Sequence, residues 1–235
     1  MKKNYIKMNI ALLMIMLVFD IWYMFGGGLF AKSIASIMFV AVGSINLYYC
    51  TKNRNNLNFP KWMVVALVFA MIADILLVIN FYSGVALFAM GHIFYFVSYC
   101  KLQKICFRDL ICGIIMSVIS LLIIFNIPFL DFGSALMKGV CSTYAIIISF
   151  MVGKAISNLL NKKNNTNKII VMGSILFFIS DFMLMMDMFG NVEIASYLCL
   201  GTYYPAQFLL GFSLFIYGNI NISSKIKNIS LLKIS

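Results

Sequence analysis

An all-α integral membrane protein, with eight transmembrane helices in one bundle, is the fold class this sequence predicts. Three observations predict it. Of 235 residues, 63% are hydrophobic and 11% charged, unlike a water-soluble domain. The apolar residues fall into eight blocks of about 20, the length that crosses a bilayer as a helix. Charge is sorted by side: of 18 Lys and Arg, 16 lie at the N-terminus, in the connections after even-numbered blocks, or at the C-terminus. That bias places both termini in the cytoplasm. It also accounts for the net charge of +11, which would otherwise suggest an RNA-binding surface; no nucleic-acid partner is expected.

The blocks run near residues 8–25, 32–50, 61–80, 83–100, 109–126, 134–153, 168–188 and 201–220. They leave no room for a soluble domain, so 1–235 is read as one transmembrane unit, with 154–168 its longest polar connection. In a bacterium such a protein sits in the plasma membrane. Block 1 follows basic residues and has no small-residue cleavage site after it, as in an uncleaved signal anchor. It carries Asp20, with Trp22 and Tyr23 at the far interface. Lys32 opens block 2, and an Asp20–Lys32 ion pair is one expectation there. Pro60 fits the start of block 3, which lifts Asp74 into the far half. The short turn after it makes blocks 3 and 4 antiparallel neighbours. On block 4, Phe88, His92, Tyr95 and Tyr99 share a face by helical spacing. Block 5 is almost purely aliphatic and reads as scaffold. Block 6 carries Lys138, Ser142 and Tyr144 near its outer end, and block 7 carries Asp181. Block 8 brings Tyr203, Tyr204 and Gln207 together, and Pro205 should loosen its first turns. Asp131, Asp187 and Glu193 are expected in outer loops.

Two short stretches repeat. MIADILLVIN holds Asp74 and FFISDFMLMMD holds Asp181, each aspartate after a small residue and 13 positions after a lysine, Lys61 or Lys168. At about 1.5 Å per residue the two acids share one depth. Their separation of 107 residues suggests two four-helix halves, 1–105 and 106–225, in parallel orientation about an axis along the membrane normal.

Carboxyl groups in hydrocarbon are costly and ordinarily face a cavity or a partner. Two in one apolar site do not both carry charge cheaply; one keeps its proton while the other ionises, the arrangement that cleaves acetal-like bonds through an oxocarbenium ion. The bland alternative is that Asp74 and Asp181 only tie helices together through Tyr, Gln and Lys. His92, the one histidine, is either a structural hydrogen-bonder or a proton carrier. One histidine and six cysteines without a CxxC leave too few ligands for zinc, so neither metal nor cofactor is expected.

At these residues the chain resembles the lysoplasmalogenases, or YhhN-like membrane proteins. The resemblance rests on small-Asp-x-Leu-Leu at Ala73–Leu77, GHIFY at Gly91–Tyr95, Phe-x-x-Ser-Asp at Phe177–Asp181 and Tyr-x-x-Ala-Gln at Tyr203–Gln207, with Lys32 matching a family lysine. Order, spacing and helix number agree over nearly the whole chain. It implies hydrolysis of the vinyl-ether bond of a lysoplasmalogen to a fatty aldehyde and glycerophosphoethanolamine or glycerophosphocholine. Asp74 and Asp181 would be the catalytic pair. Lys32, His92, Lys138, Tyr203, Tyr204 and Gln207 would line the substrate site, with Lys32 or Lys138 on the phosphate. The partners would be the lysophospholipid, water and the bilayer. A proton-coupled carrier using the same acids, or a lipid-binding protein without turnover, stays open beside it.

Overall fold

The computed structural model describes residues 2–53 and 55–232, with side chains described to residue 219. The described residues form eight helices: α1 (Lys2–Met24), α2 (Gly28–Lys52), α3 (Asn58–Ile79), α4 (Phe81–Leu102), α5 (Phe107–Asn126), α6 (Ala135–Asn161), α7 (Asn165–Gly190) and α8 (Glu193–Leu232). Each is long and apolar enough to cross a membrane, α8 over Glu193–Asn219. The protein is an integral membrane helical bundle. Lys225 and Lys227, two of the basic residues behind the side assignment, lie beyond the described side chains.

The helices overrun the apolar blocks where polar residues find partners. The connection expected at 154–168 shrinks to residues 162–164, because α6 continues to Asn161. Lys154, expected in that loop, is fully buried: its ammonium lies 2.7 Å from Asp109 Oδ2 and donates to the Lys104 carbonyl at 3.1 Å. Asn164 then caps α7, its side chain accepting from the Asn167 amide. At the other side, left-handed Asn191 (φ 52°) ends α7, and α8 begins at Glu193 rather than near 201. Asp187 thus lies in α7 and exposed Glu193 in the first turn of α8, not in loops. Pro205 sits inside α8 without interrupting it.

On α5 burial follows small size and polarity more than hydrophobicity, as expected where lipid is as apolar as leucine. The buried residues of α5 are Asp109, Gly113, Ser117, Ser120 and Ile124, while Ile115, Val118 and Leu122 are about half exposed. A Cβ on Gly153 of α6 would stand 2.5 Å from the Gly113 amide, so these two helices meet backbone to backbone. Asn9 and Asn46 exchange amide hydrogen bonds at 3.0 and 2.8 Å and tie α1 to α2.

Helices consecutive in the chain pack as hairpins, α1 with α2, α3 with α4, α5 with α6 and α7 with α8. α2 also packs on α3 and α8, and α6 on α7 and α4. Advancing each helix by four places turns the first of these neighbourhoods into the second. The lesser contacts of α8 with α1 and α3 have no such counterpart.

Candidate active site

Asp74 sits on α3 with a side chain only 4% exposed. Its Oδ1 lies 2.9 Å from the Lys32 ammonium on α2. Its Oδ2 accepts from Ser36 at 2.6 Å and from Tyr204 of α8 at 3.0 Å. One charged and two neutral donors satisfy a buried carboxylate, which is what such a group requires. Ser36 lies one turn along α2 from Lys32, so both reach Asp74 from one helix face.

Asp181, on α7, is held by a phenol and an imidazole. Tyr144 of α6 donates to its Oδ2 at 2.6 Å, and His92 Nε2 of α4 lies 3.1 Å from the same oxygen. His92 Nε2 is also 2.8 Å from the Tyr144 hydroxyl. Tyr144 has one proton and gives it to Asp181, so Nε2 meets the two oxygens as a donor only when it carries a proton. His92 Nδ1 is buried with no hydrogen-bond partner. Phe177 packs against the imidazole, ring centroids 4.7 Å apart.

The two aspartates line one cavity of about 260 Å³, together with Lys32, Tyr203, Ser180, Cys199 and Asp187. A second, almost wholly apolar cavity lies between α4, α5, α6 and α7 and is walled by Phe178, Ile148, Ile123 and Met185. Asp181 lines both, as do Phe81, Phe88, Leu184 and Met188.

Other expected site residues take various places. Tyr203 faces the shared cavity and donates to the Ala70 carbonyl at 3.3 Å. Gln207 accepts from Tyr95 at 2.6 Å, joins α4 to α8, and lines neither cavity. Lys138 stands over the Phe125 ring, 4.4 Å from its centroid, and is not brought to the aspartates. Lys32 pairs with Asp74, so the expected Asp20–Lys32 ion pair is replaced. The Asp20 side chain is nonetheless buried in the electrostatic neighbourhood of both, one oxygen without a hydrogen-bond partner. The sequence does not single out Ser36, and it marks Tyr144 only as polar. The usable signal is spacing: Ser36 follows Lys32 by one turn, and Tyr144 sits in the outer half of its helix, as Asp181 does.

A bundle of eight membrane-length helices in which two partnered carboxyl groups line one cavity defines a class, the integral membrane proteins with a polar site among their helices. The chain belongs to the YhhN family, whose model matches residues 29–214. That is the lysoplasmalogenase-like family, and membership together with the bundle fits a membrane hydrolase. No curated protein and no solved structure matches the chain.

Proposed function

We propose that this protein hydrolyses the vinyl-ether bond of lysoplasmalogens, releasing a fatty aldehyde and a glycerophospho-alcohol. The observation that carries the reading is that Asp74 and Asp181, from helices in opposite halves of the chain, line one cavity inside the bundle. Family membership supports it.

The chemistry needs one proton donor and one stabilising carboxylate. A carboxyl proton passes to the chain-side vinyl carbon; the C=C π pair forms the new C–H bond, and an oxocarbenium ion results. The second carboxylate faces that cation. Water adds to the cationic carbon and returns a proton to the first carboxylate. The hemiacetal then expels the glycerol oxygen, which takes the hydroxyl proton, and aldehyde remains. One water is consumed and the acid is regenerated. Lys32, Ser36 and Tyr204 position Asp74, while Tyr144 and His92 position Asp181. An amphiphilic substrate dissolved in the bilayer gives a reason to build such a site among membrane helices.

Single-turnover aldehyde release from a lysoplasmenyl lipid by the purified protein in detergent tests the reading. Asp74→Asn and Asp181→Asn are each expected to lower the rate by roughly 10²- to 10⁴-fold, the worth of a positioned acid or base. Near-normal rates in both folded variants would make the aspartates structural. Absence of aldehyde from wild type, with gradient-driven uptake of a solute into proteoliposomes, would favour the carrier.

A further inference from the structure

The cavity between α4, α5, α6 and α7 has no role in the chemistry above, yet it shares a wall with the site that does. On one side of that wall stand Lys32, Asp74 and Ser180. On the other stand Ile123, Ile148, Phe178 and Met185. Asp181 faces both compartments. A vinyl ether of a lysolipid has the same division: a polar glycerophosphate on one side of the scissile group and an aliphatic chain on the other. An apolar compartment recognises a chain by excluding it from water, and an ammonium beside polar groups suits the head.

We infer that the apolar cavity receives the aliphatic chain next to the scissile bond, with the head group toward Lys32, and that this orientation makes Asp181 the proton donor and Asp74 the carboxylate facing the cation. The inference rests on the hydrolase reading for its chemistry, but the chain site stands as a binding statement without it. Carbon protonation falls on the vinyl carbon nearer the chain, and Asp181 is the acid on the chain side. The cation develops on the carbon bonded to oxygen, nearer the polar compartment. There Asp74 is the carboxylate held by Lys32 at 2.9 Å. The cavity, about 90 Å³, is narrow, so it grips the first methylenes only.

The first experiment needs no turnover. A saturated ether lysolipid carrying a diazirine a few carbons from the ether oxygen is photolysed with the full-length protein in nanodiscs. The adducts are then mapped by mass spectrometry. Labels on α5 and α6, at Ile123, Ile124 or Ile148, are expected. Labels confined to lipid-facing residues such as Val118 or Leu122 would overturn the chain site. The second experiment narrows the cavity with Ala145→Phe, and with Cys141→Phe one turn away as an independent variant. Either is expected to lower kcat/KM for a long-chain lysoplasmenyl lipid roughly tenfold or more, the scale of a misfit group in an apolar pocket. The drop is read as a ratio against turnover of an unsubstituted vinyl ether, which has no chain to place. An unchanged chain preference in both folded variants overturns the inference while leaving the hydrolase reading intact. Correct labelling without aldehyde from wild type does the reverse. The acid assignment is read with a lysolipid whose ether oxygen is replaced by a secondary ammonium. Its binding should weaken more in Asp74→Asn than in Asp181→Asn when both are made in a Lys32→Met background, where no ammonium is stranded, and the opposite order overturns that assignment.

Discussion

Lys32 and Asp74 form an ion pair whose side chains are 6% and 4% exposed, and such pairs are held hostage by their own desolvation. Removing one member strands the other. Lys32→Met is therefore expected to destabilise the protein by about 3–5 kcal/mol, and Lys32→Met with Asp74→Leu by much less, since an apolar pair strands nothing. Thermal unfolding in detergent compares the two; equal losses would mean that the pair's burial carries no such cost. Beside Asp181 the Tyr144 hydroxyl is a neutral donor and is worth less. Tyr144→Phe deletes one donor at 2.6 Å and should slow aldehyde release by about tenfold, equivalent to about 1.4 kcal/mol. His92→Gln keeps a donor within reach of the carboxylate and should be milder still. A Tyr144→Phe rate equal to wild type would remove Tyr144 from the positioning network.

Among the helices, contact depends on what is missing from a face. Gly153 and Gly113 let α5 and α6 touch at their backbones, and a methyl group at 153 would meet main-chain atoms, which cannot swing aside. Gly153→Ala is expected to cost about 1–3 kcal/mol, as overpacking does. Gly201→Ala, at a helix position where an added methyl would meet nothing within 4 Å, should be neutral or slightly stabilising. Melting temperatures of the two variants in one detergent make the comparison, and equal shifts would show that the α5–α6 approach is not tight. The aromatic face of α4, by contrast, is plain from its spacing. Phe88, His92, Tyr95 and Tyr99 are all at most 4% exposed.

Across the whole molecule, the two aspartates are clasped in parallel ways. Asp74 on α3 is held from α2 and α8; Asp181 on α7 is held from α6 and α4. Advancing each helix by four places converts one clasp into the other, which is what a repeat of 1–105 in 106–225 would produce, and superposition of the halves measures it. The membrane orientation has a separate test. Single cysteines placed in the connections at residues 53–57 and 162–164 should be labelled from the cytoplasmic side of sealed vesicles, and one at Gly133 only from the other. The basis is the clustering of Lys and Arg around the first two. Labelling of 53–57 and 162–164 from opposite sides would overturn the topology.

What the sequence determined by itself was the set of spans and, as expectations, their sidedness and the shared depth of Asp74 and Asp181. These follow from local rules. A backbone in hydrocarbon must bond to itself, so apolar length implies helix, and a fixed rise per residue turns spacing into depth. Tertiary structure alone decided the partners: Lys32 on Asp74 instead of Asp20, Tyr144 and His92 on Asp181, Lys154 on Asp109, Lys138 on a phenyl ring. It also decided that an apolar cavity adjoins the polar one. The reason is rotational. Each residue turns the helix by about 100°, and an aliphatic helix in lipid has no hydrophobic face to say which side is in. Depth is therefore legible along the chain, whereas direction around each helix is set by packing against the others.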